Sequence, residues 1–114
     1  FQIGSRFVDC PRAGNALFRI FDAKDVRLEN ITGHSSPHFW SMVYNSTVSY
    51  HRVRVVLKPG RLMTANGDLV TGTGNRLWMD HCEFEGNADD ICHQFRGEAT
   101  YIANTSFRNN RRFG

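Results

Sequence analysis

Val26-Arg27-Leu28-Glu29-Asn30-Ile31, Val48-Ser49-Tyr50-His51-Arg52-Val53, Leu77-Trp78-Met79-Asp80-His81-Cys82 and Thr100-Tyr101-Ile102-Ala103-Asn104-Thr105 are four versions of one hexad. A fixed self-similarity of this kind is the mark of a repeat architecture and has to be read before any single element. Each hexad has inward-type residues at its first, third and sixth places, and the last three continue to Val55, Phe84 and Phe107 two positions on. Alternation with period two is the signature of a strand, whereas a helix would need a spacing of about 3.6. The one-residue slip at the polar pairs Glu29-Asn30, His51-Arg52, Asp80-His81 and Ala103-Asn104 then reads as a tight bend between two short strands.

The sixth positions, Ile31, Val53, Cys82 and Thr105, follow one another at intervals of 22, 29 and 23 residues. A coil of that length cannot bury its own apolar face, so successive coils must stack, each strand pairing with its counterparts ~4.8 Å above and below. The expected fold is all-β, a right-handed parallel β-helix of four to five coils. Residues 1–114 are expected to form part of a single such domain, truncated at both ends. The excess of about seven residues in the longest interval is expected to protrude, around Lys58-Pro59-Gly60-Arg61 or around Val70-Thr71-Gly72-Thr73-Gly74.

Composition narrows the function classes. Hydrophobic residues make up 40% of the chain and charged residues 22%, as in an ordinary globular protein, and no apolar run is long enough for a membrane helix. The net charge of +3 is scattered in single residues and pairs rather than gathered in a patch, so neither nucleic acid nor a membrane is an expected partner. Cys10, Cys82 and Cys92 form no CxxC pair, and the five histidines show no zinc-type spacing relative to them; no metal site and no cofactor are expected. Cys82 occupies an apolar place in the repeat and reads as a buried free thiol. The sequons at Asn30, Asn45 and Asn104 would carry meaning in a eukaryotic secreted protein, and a secreted, periplasmic or cell-surface location is expected.

Chemistry enters through a column. Counted back from the sixth positions, His38 and Trp40, then Asp68, then Asp89 and Asp90, share one coil position within a residue, and Arg111 and Arg112 follow if the period continues. Isolated Asn-Gly-Asp and Asn-Ala-Asp-Asp sequences are ordinary turns. Stacked on adjacent coils, however, their carboxylates would repel, an arrangement that marks functional sites. Two carboxyl groups, one to protonate the leaving oxygen and one to activate water, are what glycosidic hydrolysis needs. Trp40 is either a sugar-stacking platform or part of the core, and His93 either touches substrate or is a polar exterior residue. Trp78 is expected on the outer face.

The run Asn66-Gly67-Asp68, followed by Asp89-Asp90, resembles the Asn-x-Asp and Asp-Asp pattern of polygalacturonases. Pro59-Gly60-Arg61-Leu62-Met63-Thr64, Cys82-Glu83-Phe84-Glu85-Gly86-Asn87-Ala88-Asp89-Asp90 and Phe107-Arg108-Asn109-Asn110-Arg111 are similar to the exo-acting α-1,3-galactosidases that cleave the blood-group-B sugar. That likeness spans roughly residues 37 to 114. It implies an inverting glycoside hydrolase acting on an oligo- or polysaccharide, with Asp68 as general acid and Asp89 with Asp90 holding the water. Asn66, His38, Trp40, His93, Arg111 and Arg112 are the expected substrate-binding residues. The Gly-His-Gly and Arg-x-Lys motifs of polygalacturonases do not occur in the chain. Two other readings compete: a Ca²⁺-dependent polysaccharide lyase with the three aspartates as metal ligands, and a non-catalytic glycan-binding scaffold.

Overall fold

A computed structural model describes residues 15–36, 38–65 and 67–109. Its elements are twelve strands, with no helix among the described residues and hence none that is long and apolar enough to cross a membrane. They come in triplets: β1 (Ala16–Phe21), β2 (Val26–Glu29), β3 (Thr32–Gly33); β4 (Phe39–Tyr44), β5 (Thr47–His51), β6 (Arg54–Val55); β7 (Val70–Thr73), β8 (Arg76–Asp80), β9 (Glu83–Glu85); β10 (Cys92–Phe95), β11 (Ala99–Ala103), β12 (Ser106–Arg108). Every strand pairs in parallel with the strand three places away, giving three four-stranded sheets in the orders β1-β4-β7-β10, β2-β5-β8-β11 and β3-β6-β9-β12. The arrangement is all-β, parallel throughout and compatible with a β-helix.

The hexads align in register as the repeat requires. Val26, Val48, Leu77 and Thr100 face one another across the second sheet, as do Leu28, Tyr50, Met79 and Ile102. In the third sheet the column is Gly33, Val55, Phe84 and Phe107. The inward side chains of the middle two triplets make the core, where Val48, Val53, Val55, Leu77 and Phe84 are fully buried and each stabilises by about 1.5–3 kcal/mol, whereas Ile102 and Phe107 of the last triplet are exposed. Gly33 is small for a packing reason, since a Cβ there would lie 2.6 Å from Nε1 of Trp40, whose indole takes the space that Val55 and Phe84 fill lower in the column.

The slip between the second and third sheets is made by one left-handed residue per coil: Asn30 (φ 54°), Arg52 (52°), His81 (53°) and Asn104 (48°). Asp22, Asn45, Gly74 and Arg96 do the same between the first and second sheets. Asn tolerates this conformation better than most residues. The three sequons therefore have a backbone reason to exist. In each, Asn makes the bend, the middle residue follows it, and Thr or Ser stands at the start of a strand.

The long interval protrudes at the first of its two expected places. Thr64 and Ala65 remain in the stack: the Ser36 amide donates to Thr64 O at 2.7 Å, and the Thr64 amide donates to Gly86 O at 2.9 Å. The extra residues bulge across 57–63, closed by the hydrogen bond from Arg61 N to Lys58 O at 3.0 Å. The alternative at 70–74 is corrected, for it is strand β7 and its bend. Its glycines do not signal a loop. A Cβ at Gly72 would stand 1.6 Å from Val43 O, and Gly74 takes the left-handed bend at φ 68°.

Candidate functional site

Asp68 stands two residues before β7, and Asp90 two residues before β10. Val70 and Cys92 are register partners, so the two aspartates occupy equivalent places on adjacent strands of the first sheet. Backbone and side chain then tie them together: Leu69 N donates to Asp90 O at 3.0 Å, and Asp90 N donates to Oδ1 of Asp68 at 3.3 Å. Oδ2 of Asp68 lies 3.4 Å from Nδ1 of His93, the second residue of β10. One ligand atom from each of Asp68, Asp90 and His93 falls within 4.8 Å of the others. Asp68 is buried while His93 is exposed, so the cluster has a desolvated base and an open rim.

Asn87 sets the loop that carries the second aspartate. Its fully buried Nδ2 donates to the carbonyls of both Asp89 and Asp90, at 2.5 and 2.6 Å. Read in sequence, Asn87 is one more turn residue; only its burial reveals it as the anchor. On the other side Gly67 is held bare, since a Cβ would meet Cδ2 of His38 at 2.7 Å and Cε1 of Phe39 at 2.9 Å. His38 thus lies across the residue preceding Asp68, its ring 3.8 Å from that of Phe39, and its Nδ1 has no hydrogen-bond partner among the described residues.

The expected column is therefore brought together in part. Asp68, Asp90 and His93 converge, and His38 sits beside them. Asp89 is half-buried next to Asp90 and is not one of the three converging groups. Trp40 is fully buried, edge-on to Phe18 at 5.0 Å and near Tyr50, so it presents no face to a sugar; packing takes it inward, as the core alternative anticipates. Asn66, Arg111, Arg112 and Cys10 lie outside the described residues. Cys82 is buried and free, its Sγ donating to Tyr50 O and Asp80 O at 3.4 Å, and Cys92 is free as well.

Burial, reinforced by the Asp68 carboxylate, pushes the Cys92 thiol up to about 11. A raised value means that folding favours the neutral thiol. The associated stability is complete below the unfolded thiol's value near 9 and is lost as pH rises from there through about 11. At pH 8 the thiolate fraction should be about a hundredfold below that of an unfolded cysteine. Site-resolved mass spectrometry of iodoacetamide labelling should show Cys92 reacting about a hundredfold more slowly in the folded than in the urea-unfolded chain. Equal rates at pH 8 would contradict this environment.

Comparison with protein-family models, with curated proteins and with solved structures finds no match.

Proposed function

We propose that the chain belongs to a right-handed parallel β-helix that hydrolyses glycosidic bonds on the outer face of its first sheet. The parallel triplet repeat supports the fold, and the close pair Asp68 and Asp90 carries the activity. Two oxygens that share one water by hydrogen bonds of about 2.8 Å at a tetrahedral angle stand ~4.6 Å apart. Asp68 and Asp90 present oxygens no more than 4.8 Å apart, within reach of one shared water.

The spacing also redistributes the roles implied by the resemblance. An acid and a base flanking a water in an inverting site stand about 6.5–9.5 Å apart, more than this pair provides. Asp68 and Asp90 are accordingly a joint base holding the attacking water, and Asp89, adjacent but outside the close group, is the proton donor to the leaving oxygen. His93, 3.4 Å from Asp68, orients that carboxylate and lines the sugar subsite together with His38. The substrate is an oligo- or polysaccharide, and the similarity to exo-α-galactosidases makes a terminal α-galactoside the first candidate, ahead of polygalacturonate.

The test is a panel of α-galactosides and polygalacturonate incubated with the full protein, with EDTA and then with Ca²⁺, the product anomer being followed by NMR. Turnover in EDTA with inverted product is expected; a retained anomer would instead make the close pair Asp68 and Asp90 the acid and nucleophile, the roles that a spacing of ~5 Å suits. An ultraviolet-absorbing unsaturated product that appears only with Ca²⁺ would instead make Asp68 and Asp90 metal ligands of a lyase.

One observation favours a binding scaffold as the second reading. Trp78 and Tyr101 stack on each other at 5.1 Å on the exposed face of the second sheet, and the more exposed Tyr101 leaves aromatic surface on which a sugar ring could rest. Glycan affinity without turnover in either condition would select it.

A further inference from the structure

The second sheet carries a polar cluster away from the aspartate site. His51 ends β5 and Asp80 ends β8, and the two are register partners. His81 follows at the left-handed bend, which turns the chain so that its ring also meets Asp80. Nδ1 of His51 lies 3.3 Å from Oδ2 of Asp80, and Nδ1 of His81 lies 2.9 Å from Oδ1. The two imidazole rings stand edge to face with centroids 5.8 Å apart, and one ligand atom from each of the three residues falls within 4.8 Å of the others.

We propose that His51, Asp80 and His81 form a binding site for a divalent transition-metal ion of the Zn²⁺ class, clamping β5 to β8. Ligands about 2.0–2.1 Å from a tetrahedral zinc are ~3.3 Å from one another; each imidazole lies near that distance from one oxygen of Asp80, His51 from Oδ2 and His81 from Oδ1, and the three ligand atoms fall within 4.8 Å, so a small side-chain adjustment closes them on one ion. Two imidazoles and one carboxylate suit zinc, copper or nickel; calcium and magnesium prefer all-oxygen shells. The Asn104 amide, donating to Oδ1 at 3.0 Å, supplies the outer support that orients a ligating carboxylate. All three side chains are partly open to solvent, giving an ion a way in, and three protein ligands leave a fourth position for water.

The experiment is a calorimetric titration of the full, untagged protein with Zn²⁺ after EDTA treatment, paired with histidine-ring NMR. One site is expected, with the His51 and His81 rings shifting and those of His34 and His93 unmoved. His51→Gln and His81→Asn should each weaken binding by at least about tenfold, since loss even of an outer-shell partner typically costs that much. Asn at position 81 suits the left-handed bend, so this variant keeps the fold. Absence of Zn²⁺ binding, binding unaltered in both variants, or binding abolished by His93→Gln instead would each overturn the proposal.

Discussion

Asp68→Asn is expected to lower glycoside turnover by about a hundredfold to ten-thousandfold, the usual worth of a positioned acid or base, while leaving the fold intact. The asparagine Oδ1 can still accept the Asp90 amide hydrogen bond that Asp68 accepts at 3.3 Å, so the loop before β10 keeps its anchor. What disappears is the negative charge that, in the proposed mechanism, Asp68 and Asp90 use together to hold the attacking water. Asp89→Asn should differ in kind: a nitrophenyl glycoside, whose leaving group needs little protonation, should recover much of the lost rate in Asp89→Asn and little in Asp68→Asn. The measurement is kcat on natural and activated substrates for both variants. Recovery in the reverse order would exchange the roles of acid and base, and full activity in Asp68→Asn would remove the site altogether.

The largest stability effect should come from Asn75→Ala, a loss of about 3–5 kcal/mol in urea unfolding. Asn75 is fully buried at the bend between β7 and β8, where it joins three successive coils. Its Nδ2 donates to Val43 O at 2.7 Å and to Oε1 of Gln94 at 2.8 Å, and its Oδ1 accepts from Ser46 N at 3.1 Å. Alanine would strand Val43 O and Ser46 N in the interior, each at about 1–3 kcal/mol, and take the partner from the half-buried Gln94 amide, against a typical domain stability of about 5–15 kcal/mol. Gly72 belongs to the same device, because a Cβ there would press on Val43 O and stand 2.8 Å from Nδ2 of Asn75. A loss below about 1 kcal/mol would mean that water or relaxation satisfies the stranded groups.

The stacking was legible because it depends on side-chain alternation. Val26, Val48, Leu77 and Thr100 align in the hexads and face one another in the sheet. The polar slip was equally readable, and its second residue proves to be left-handed in all four coils. Gly72 and Gly74 misled the placement of the loop, since glycine marks a close approach or a bend as well as a loop. Counting positions also sufficed to set Asp68 over Asp90, which are 22 residues apart. The same counting sets His51 beside Asp80, but their contact has no spacing along the chain to reveal it, because one side chain reaches the other across a ladder.

By itself the sequence determined the period of the repeat and the alternation of the hexads, which follow from hydrophobic patterning, and counting within that repeat set the aspartates one above the other. Only the tertiary structure decided which polar atoms meet. Lateral pairing brings strands within about 4.8 Å, so contacts form between residues one coil apart whose chemistry has no local pattern. Asn75 bridging Val43 and Gln94, Asn87 holding two carbonyls, and the inward fate of Trp40 were settled at that level, because burial and hydrogen-bond geometry are properties of the stacked coils and not of any one of them.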